Sequence, residues 1–297
     1  MMKLSVAPVP YFWSKDAYLE FYKAVERTKV DIVYLGETVC SKRRTMTMQD
    51  WLDIANSLTA AGKEVVLSTL TLLEAESELN YLKNIARQKE YLVEANDMAA
   101  VQVAFENENR FVAGCAINLY NNQSLTRFGQ LGMSRWVVPV ELGKEDLNPM
   151  IQKAQALGIE VEYQVFGRMP LAYSARCFTA RHHHLPKDNC QFKCLEDEQG
   201  LKIKTQEGDS FAQINGIQTQ SAKVSNLLNY LADLEENGID IARIVPVTAE
   251  DTLQVIDLVT SGAAMTADLS QFNFGYEYCN GYWLQAEGMS YVPEMTS

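Results

Sequence analysis

The chain has few basic residues for its length. Its 297 residues include 26 Lys and Arg against 38 Asp and Glu, which gives a formal net charge of −12. Proteins that bind free nucleic acid usually present a basic surface to the phosphate groups. The composition therefore argues against a stable nucleic-acid partner, although a local basic pocket is compatible with it.

Long apolar runs are also lacking. No window approaches the roughly 20 apolar residues that a membrane-spanning helix needs. Residues 1–12 contain one lysine and a short apolar stretch broken by two prolines, unlike a secretory signal peptide. We therefore expect a cytoplasmic protein with no membrane span. Cysteines in that reducing compartment are expected to be free, catalytic or metal-bound.

Histidine is scarce, and the three histidines are consecutive, at His182–His184. The sequence has no HExxH motif and no Ser–His–Asp or Cys–His order typical of hydrolases. Three adjacent histidines cannot all face one metal from regular structure. One of them could donate a hydrogen bond to a metal-bound sulfur, and a solvated loop is an equally good interpretation.

Short apolar segments alternate with amphipathic stretches along most of the chain. Their Val, Ile and Leu content is typical of parallel strands that are buried on both faces. Eight such units predict an α/β fold, a TIM-like (β/α)8 barrel in one domain over residues 1–297. An open doubly wound sheet is the alternative, and the lack of a GxGxxG motif after the first strand disfavours it. The predicted strands are Leu4–Pro8, Asp31–Leu35, Glu64–Leu70, Tyr91–Glu94, Phe111–Ile117, Arg135–Val140, Glu160–Phe166 and Ile241–Val245.

Helices are predicted between these strands. Ser14, Thr47 and Thr248 are suitable N-caps, each followed by apolar residues at helical spacing. Further predicted helices are Glu76–Arg87, Asp97–Asn107, Gln123–Gly132, Asp146–Leu157 and Ala222–Asn237.

One interval interrupts the alternation. Residues 167–221 follow the seventh strand, and we predict that they form a cysteine-rich insertion in the barrel. Polar and apolar residues alternate in their second half, and Gly208-Asp209 and Asn215-Gly216 are turn signals, so small antiparallel ribbons are expected there. The aromatic-rich tail from Asn273 is expected to pack on the barrel or on a partner chain.

Three of the six cysteines, Cys177, Cys190 and Cys194, lie in one short stretch of the insertion. A thiolate metal site normally has four ligands. Cys40 is the best fourth candidate, because it follows the second strand and all loops after barrel strands open on one face. Cys115 is expected to be a buried small side chain inside the fifth strand. Cys279 is expected to be a free or packing thiol.

Four thiolates suit either zinc or an iron–sulfur cluster. Structural zinc sites usually contain close CxxC pairs, and this sequence has none. The irregular spacing with one remote ligand therefore favours an iron–sulfur cluster over zinc. The simplest alternative is that some of these cysteines are only buried.

Polar residues at strand ends could line a pocket, or could cap helices and contact solvent instead. They are Glu37, Asn96, Asp97, Asn118, Glu141 and Arg168. Arg176 precedes Cys177, where it could bind a carboxylate or offset the negative charge of a cluster. The sequence assigns no catalytic residue.

The segment Glu162–Ala180 resembles the signature of the collagenase-like peptidase family. The signature runs from a Glu through a Gly to a Cys and then to Ala-Tyr-Ser-Gly-Arg-Cys. This chain departs from it at Ala175, where Gly is expected, and at Pro170, where the first Cys is expected. The matching residues are Glu162, Gly167, Ala172, Tyr173, Ser174, Arg176 and Cys177.

The cysteine pattern, the first residues and the stretch DIVYLGETVCSKRR are similar to the ubiquinone-biosynthesis branch of that family. The resemblance covers nearly the whole chain. It implies a barrel with a [4Fe–4S] cluster on Cys40, Cys177, Cys190 and Cys194. It also implies a heterodimer with a UbiU-like subunit, a lipid-carrier accessory partner, and oxygen-independent ring hydroxylation with a hydroxyl donor other than oxygen. The alternatives are a non-catalytic scaffold for the partner, a peptidase, and an RNA-modifying hydroxylase that the acidic charge disfavours.

Overall fold

The computed structural model describes residues 2–263 and 274–293. Eight parallel strands, the first seven along the chain and then Ile241–Ile244, close into a barrel in that order, and Ile241–Ile244 pairs again with the first strand. The predicted TIM-like barrel is confirmed. The strands are β1 Lys3–Val6, β2 Ile32–Leu35, β3 Glu64–Ser68, β4 Leu92–Ala95, β5 Phe111–Ala113, β6 Met133–Val137, β7 Glu160–Tyr173, β8 Leu201–Lys204, β9 Ser210–Asn215, β10 Gln218–Asn226, β11 Ile241–Ile244 and β12 Tyr278–Cys279.

Helices lie between successive barrel strands and bury their apolar faces against the sheet. The predicted N-caps are confirmed: Ser14, Thr47 and Thr248 each accept a hydrogen bond from a backbone N–H in the first turn. Each cap satisfies a donor that the helix itself leaves unpaired. The helices are α1 Lys15–Glu26, α2 Met48–Ala60, α3 Glu76–Arg87, α4 Met98–Glu106, α5 Asn122–Gln130, α6 Lys144–Ala156, α7 Phe178–His182, α8 Leu231–Glu236 and α9 Ala249–Thr260.

Two predictions around β7 were wrong in their bounds. The seventh strand continues past Phe166 to Tyr173, and the predicted helix Ala222–Asn237 contains only α8. The reason is tertiary pairing, because Val224 and Ser225 lie opposite Arg168 and Gly167 in an antiparallel ladder. The ladder has register shifts between Gln220 and Val224, which local propensity does not reveal.

The predicted ribbons are confirmed, since β8, β9 and β10 form antiparallel pairs. The tail also packs on the barrel in its described part: β12 pairs with β10, and buried Trp283 packs edge-on against Tyr163. Asn273 itself lies outside the described residues. Across the described ranges, we find no helix whose length and apolarity would suit a bilayer crossing.

Gly167 matches the family signature, and the backbone explains why glycine is required there. Its φ is +117°, and an added Cβ would lie 2.4 Å from the carbonyl oxygen of Val245. We expect Gly167→Ala to lower the free energy of unfolding by about 3 kcal/mol or more, because both the conformation and the contact resist a side chain.

The matched control is Gly208→Ala. Gly208 has φ +96° but no atom near the added Cβ, so only the conformational cost of about 1–2 kcal/mol applies. Urea unfolding of the two variants measures the difference. Equal losses would show that the approach of Val245 has no effect on stability.

Candidate functional site: a cysteine cluster and the barrel mouth

The four predicted ligands lie in two segments at the C-terminal end of the barrel. Cys40 follows β2, and Cys177 is the N-cap residue of α7. Cys190 follows one short 3-10 turn as its C-cap and Cys194 lies in another, both in what we name the cysteine segment, residues 174–200. All four cysteines are free and half-buried, so their sulfurs are available as ligands.

Direct contacts hold the loop after β2 against the cysteine segment. The Lys42 Nζ donates to the carbonyl oxygen of Lys187 and to Asp188 Oδ1, both at 2.7 Å. The neighbouring loop after β1 also contacts this segment, since the ring centres of Phe12 and Phe192 lie 5.8 Å apart. The remote Cys40 is therefore brought to the same region as the other three cysteines, as predicted from the barrel topology.

The thiols interact electrostatically with one another. Burial raises the pKa of the Cys40 thiol, and the Cys177 thiol adds to the rise, whereas the Arg43 charge opposes it. Burial likewise raises the pKa of Cys194, with Cys177 and Cys190 acting in the same direction and Arg43 against them. Arg43 is therefore placed to offset negative charge on these sulfurs when they are thiolates.

The donor chemistry fits a soft metal or an iron–sulfur cluster, since the four thiols are free and the buried Arg43 guanidinium acts electrostatically on two of them, Cys40 and Cys194. The Cys177 Sγ also accepts a hydrogen bond from the Ala180 N–H at 3.4 Å. Over residues 2–263 and 274–293, however, no three His, Cys, Asp or Glu side chains are arranged to hold a metal ion. Binding would require the thiols to turn toward one centre, and the four-cysteine site stays a prediction.

His182 and His184 are exposed, and the His182 and His183 rings contact each other edge-on at 5.2 Å. His182 ends α7, and His183 is half-buried with an Nε2 that has no hydrogen-bond partner among the described residues, so only the exposure of His182 and His184 agrees with the solvated-loop interpretation. Arg176 is exposed as well. Its suggested role beside Cys177 stays a prediction.

Sequence reasoning missed a second polar centre, the ion network inside the barrel. Glu162, the first signature residue, is fully buried and accepts hydrogen bonds from Ser5 Oγ at 2.6 Å, from Tyr34 Oη, and from Arg243 Nη1 at 2.9 Å. Arg243 Nη2 also bonds to Glu94 Oε1 at 2.8 Å. The available signal was a single charged residue within an otherwise apolar strand, as in LVEA of β4 and IARI of β11.

Two adjoining cavities open at the barrel mouth above this network. The inner cavity is about 60 Å³ and the outer about 230 Å³. They share Thr71, Cys115, Val140, Pro170 and Tyr173. The C-terminal mouth is the usual position of binding sites in (β/α)8 barrels, because the loops that follow the strands converge there.

The polar residues predicted to line a pocket at the strand ends lie at several different sites. Asn96 and Arg168 line the inner cavity, and Asn118 and Glu141 line the outer one. Glu37 lines a separate cavity of about 340 Å³ beside α2 and α3. Asp97 caps α4 through a hydrogen bond from the Ala99 N–H, so it has the structural role that was the alternative.

Of the two remaining cysteines, the position of Cys115 was predicted wrongly and the packing role of Cys279 correctly. Cys115 does not lie inside β5, because the strand ends at Ala113 and Cys115 begins a 3-10 turn that lines both mouth cavities. Its thiol is neutral at pH 7, since burial raises its pKa to about 11. Cys279 is buried and packs with Val140 and Met169, as expected of a packing residue.

Comparison with known proteins adds a family match. The model of peptidase family U32 matches residues 18–258. A solved U32 peptidase structure is 12% identical over 83% of this chain and 93% of its own, with a TM-score of 0.44. A tryptophan synthase complex from Pyrococcus furiosus is 9% identical over 88% and 98%, with a TM-score of 0.47.

Proposed function

We propose that this chain, which belongs to peptidase family U32, the collagenase-like peptidases, is a member of the UbiV branch. In this proposal it is the iron–sulfur subunit of an oxygen-independent ring hydroxylase in ubiquinone biosynthesis. It holds one [4Fe–4S] cluster through Cys40, Cys177, Cys190 and Cys194. The observation that supports the proposal is that Lys42 joins the loop after β2 to the cysteine segment, where free Cys40 interacts electrostatically with Cys177, and Arg43 acts on both Cys40 and Cys194.

A cluster on four thiolates has no open coordination position and supplies one-electron transfer when bound. The surrounding residues have supporting roles. Arg43 is fixed by hydrogen bonds from Nη1 to the Pro10 carbonyl at 2.8 Å and from Nη2 to Asn215 Oδ1 at 2.7 Å. A guanidinium held in this way can offset the negative charge of the cluster, as can Lys42, which precedes Arg43 in the same loop.

The proposed partner is a UbiU-like subunit, with a lipid-carrier protein as an accessory. The cysteine segment exposes three large apolar side chains, Phe178, Phe192 and Leu195. Aromatic and apolar side chains of this kind are common at the centre of protein interfaces. They support a partner that covers the cluster region.

Peptidase activity rests only on the description of the family. A non-catalytic scaffold has a specific observation in its favour: Pro170 replaces the signature cysteine and lines both mouth cavities. In that alternative the partner subunit performs the hydroxylation, and this chain contributes the cluster.

Quinone profiling of a deletion strain, grown with and without oxygen, tests the pathway. We expect ubiquinone to fall to about one tenth or less without oxygen, to be unchanged with oxygen, and to be restored by this chain. A loss in oxygen alone would contradict the proposal. Equal loss in both conditions would contradict the oxygen-independent role.

Co-purification tests the partner. Tagged chain expressed without oxygen is expected to retain a UbiU-like chain at a one-to-one ratio through size-exclusion chromatography. Phe192→Asp should weaken this retention, whereas Phe105→Asp, at an exposed position on α4, is the matched control. A monomeric wild-type chain in the presence of the partner would contradict the heterodimer.

A further inference from the structure

A separate cavity lies away from the barrel mouth, between the loop after β2 and the first turns of α2 and α3. Its volume is about 340 Å³, which is larger than that of either mouth cavity. For comparison, an apolar cavity of about 150 Å³ can hold benzene. The cavity beside α2 and α3 therefore has room for one ring with a short substituent.

The walls of this cavity are mainly apolar. Five side chains contribute most of the apolar surface: Met46, Met48, Trp51, Leu70 and Tyr81. The Trp51 ring is held in place by edge-on contacts with the rings of Tyr18 and Tyr22. Methionine side chains adapt their shape to what packs against them. An apolar wall with a few polar groups is typical of small-molecule sites.

Two side chains that line the cavity have unused hydrogen-bonding capacity. Glu37 Oε1 accepts hydrogen bonds from the backbone N–H groups of Val39 at 2.8 Å and Cys40 at 3.0 Å, whereas its Oε2 accepts none from the residues that the structure describes. The Tyr81 hydroxyl also has no hydrogen-bond partner in the described ranges. Burial raises the pKa of Tyr81, and the nearby Glu37 charge adds to the rise. One free acceptor and one free donor complement a hydroxyl group, which both donates and accepts.

The charged groups around the cavity balance one another. Two carboxylates and two guanidinium groups line it, those of Glu37, Glu78, Arg43 and Arg44. Glu37 Oε1 lies 3.8 Å from Arg43 Nη1. Glu78 accepts two backbone N–H groups at the start of α3, so this helix end already has its negative charge. The cavity therefore favours a neutral ligand over an anion or a cation.

We propose that this cavity binds a small neutral molecule with one hydroxyl group on an apolar ring, and that the hydroxyl donates to Glu37 and accepts from Tyr81. The inference goes beyond the proposed function, because it assigns a ligand to a site outside the barrel mouth and does not require the cluster. Iron and sulfide content reports on the cysteines, whereas ligand titration reports on this cavity. The two can therefore fail separately.

Calorimetric titration of the full chain with p-cresol tests the inference, with toluene and p-toluate as comparison ligands. Toluene has the same apolar body without the hydroxyl, and p-toluate has a carboxylate in its place. We expect p-cresol to bind at least about tenfold more tightly than either. A hydrogen bond to a charged acceptor is strong, and Glu37 repels an anion.

Glu37→Gln keeps one oxygen for the backbone N–H groups of Val39 and Cys40 but replaces the free acceptor with an amide N–H donor. This variant should bind p-cresol about tenfold more weakly and toluene as the wild type does. Glu20→Gln, at an exposed position on α1, is the matched control and should bind both ligands like the wild type.

Glu37→Gln could disturb the loop that carries Cys40, so Tyr81→Phe is the second variant. It removes only the donor, and we expect a roughly threefold to tenfold loss of affinity for p-cresol alone. Tyr291→Phe, at an exposed tyrosine, is its control. Four results would overturn the proposal: no p-cresol binding by the folded wild type, equal affinity for p-cresol and toluene, equal or tighter binding of p-toluate, or unchanged p-cresol affinity in either folded variant.

Discussion

Replacing any one of Cys40, Cys177, Cys190 or Cys194 by serine is expected to remove most of the iron from the anaerobically purified chain. The wild type should hold about four iron and four sulfide per chain, and each variant less than about half of that. Serine has nearly the size of cysteine, but its hydroxyl is a hard, weakly acidic ligand. Iron and acid-labile sulfide assays, with the visible absorption spectrum, measure the effect.

The chain provides its own controls for this series. Cys115→Ser changes a thiol in the barrel mouth, and Cys279→Ala changes a buried packing thiol. Both variants should retain the iron content of the wild type. Loss of iron in Cys115→Ser, with retention in Cys40→Ser, would show that the ligand set is assigned wrongly.

Arg243→Met is expected to be the most destabilising single change in the barrel interior. Arg243 bridges Glu94 and Glu162, which are 2% and 0% exposed. Its removal leaves two buried carboxylates without their shared cation. Breaking a buried ion pair by removing one partner costs about 3–5 kcal/mol. Urea unfolding of the apo chain, followed by circular dichroism, gives the free energy of unfolding.

A control variant that breaks an exposed ion pair, and a double variant of the buried network, complete this experiment. Lys3→Met removes an exposed partner of Glu160 and should cost less than about 1 kcal/mol. Arg243→Met combined with Glu94→Gln should recover part of the loss, because one of the uncompensated charges is also removed. If Arg243→Met costs no more than Lys3→Met, the buried network does not stabilise the barrel.

The barrel could be predicted because local pattern and tertiary structure agree along most of the chain. Short apolar strands, N-caps such as Thr47, and the spacing of strand and helix all indicate the same fold. The predicted and observed strand and helix bounds differ mainly around β7 and β10. Their ladder joins Gln218 to Tyr173 and Asn226 to Phe166, with bulges between, and pairing at this sequence distance leaves no local pattern.

The candidate site likewise has one part that the sequence predicted and another part that it did not. Topology was enough to place Cys40 near the cysteine segment, because loops after barrel strands share one face. The positions of individual side chains were not accessible from the sequence. Asp97 and Asn96 are neighbours, yet one caps α4 and the other lines the inner cavity.

Native mass spectrometry of the anaerobically purified chain tests the central claim most directly. The predicted result is a single species whose mass exceeds that of the polypeptide by four iron and four sulfide, and this excess disappears in Cys177→Ser. A chain that carries one zinc ion, or iron without sulfide, would contradict the account.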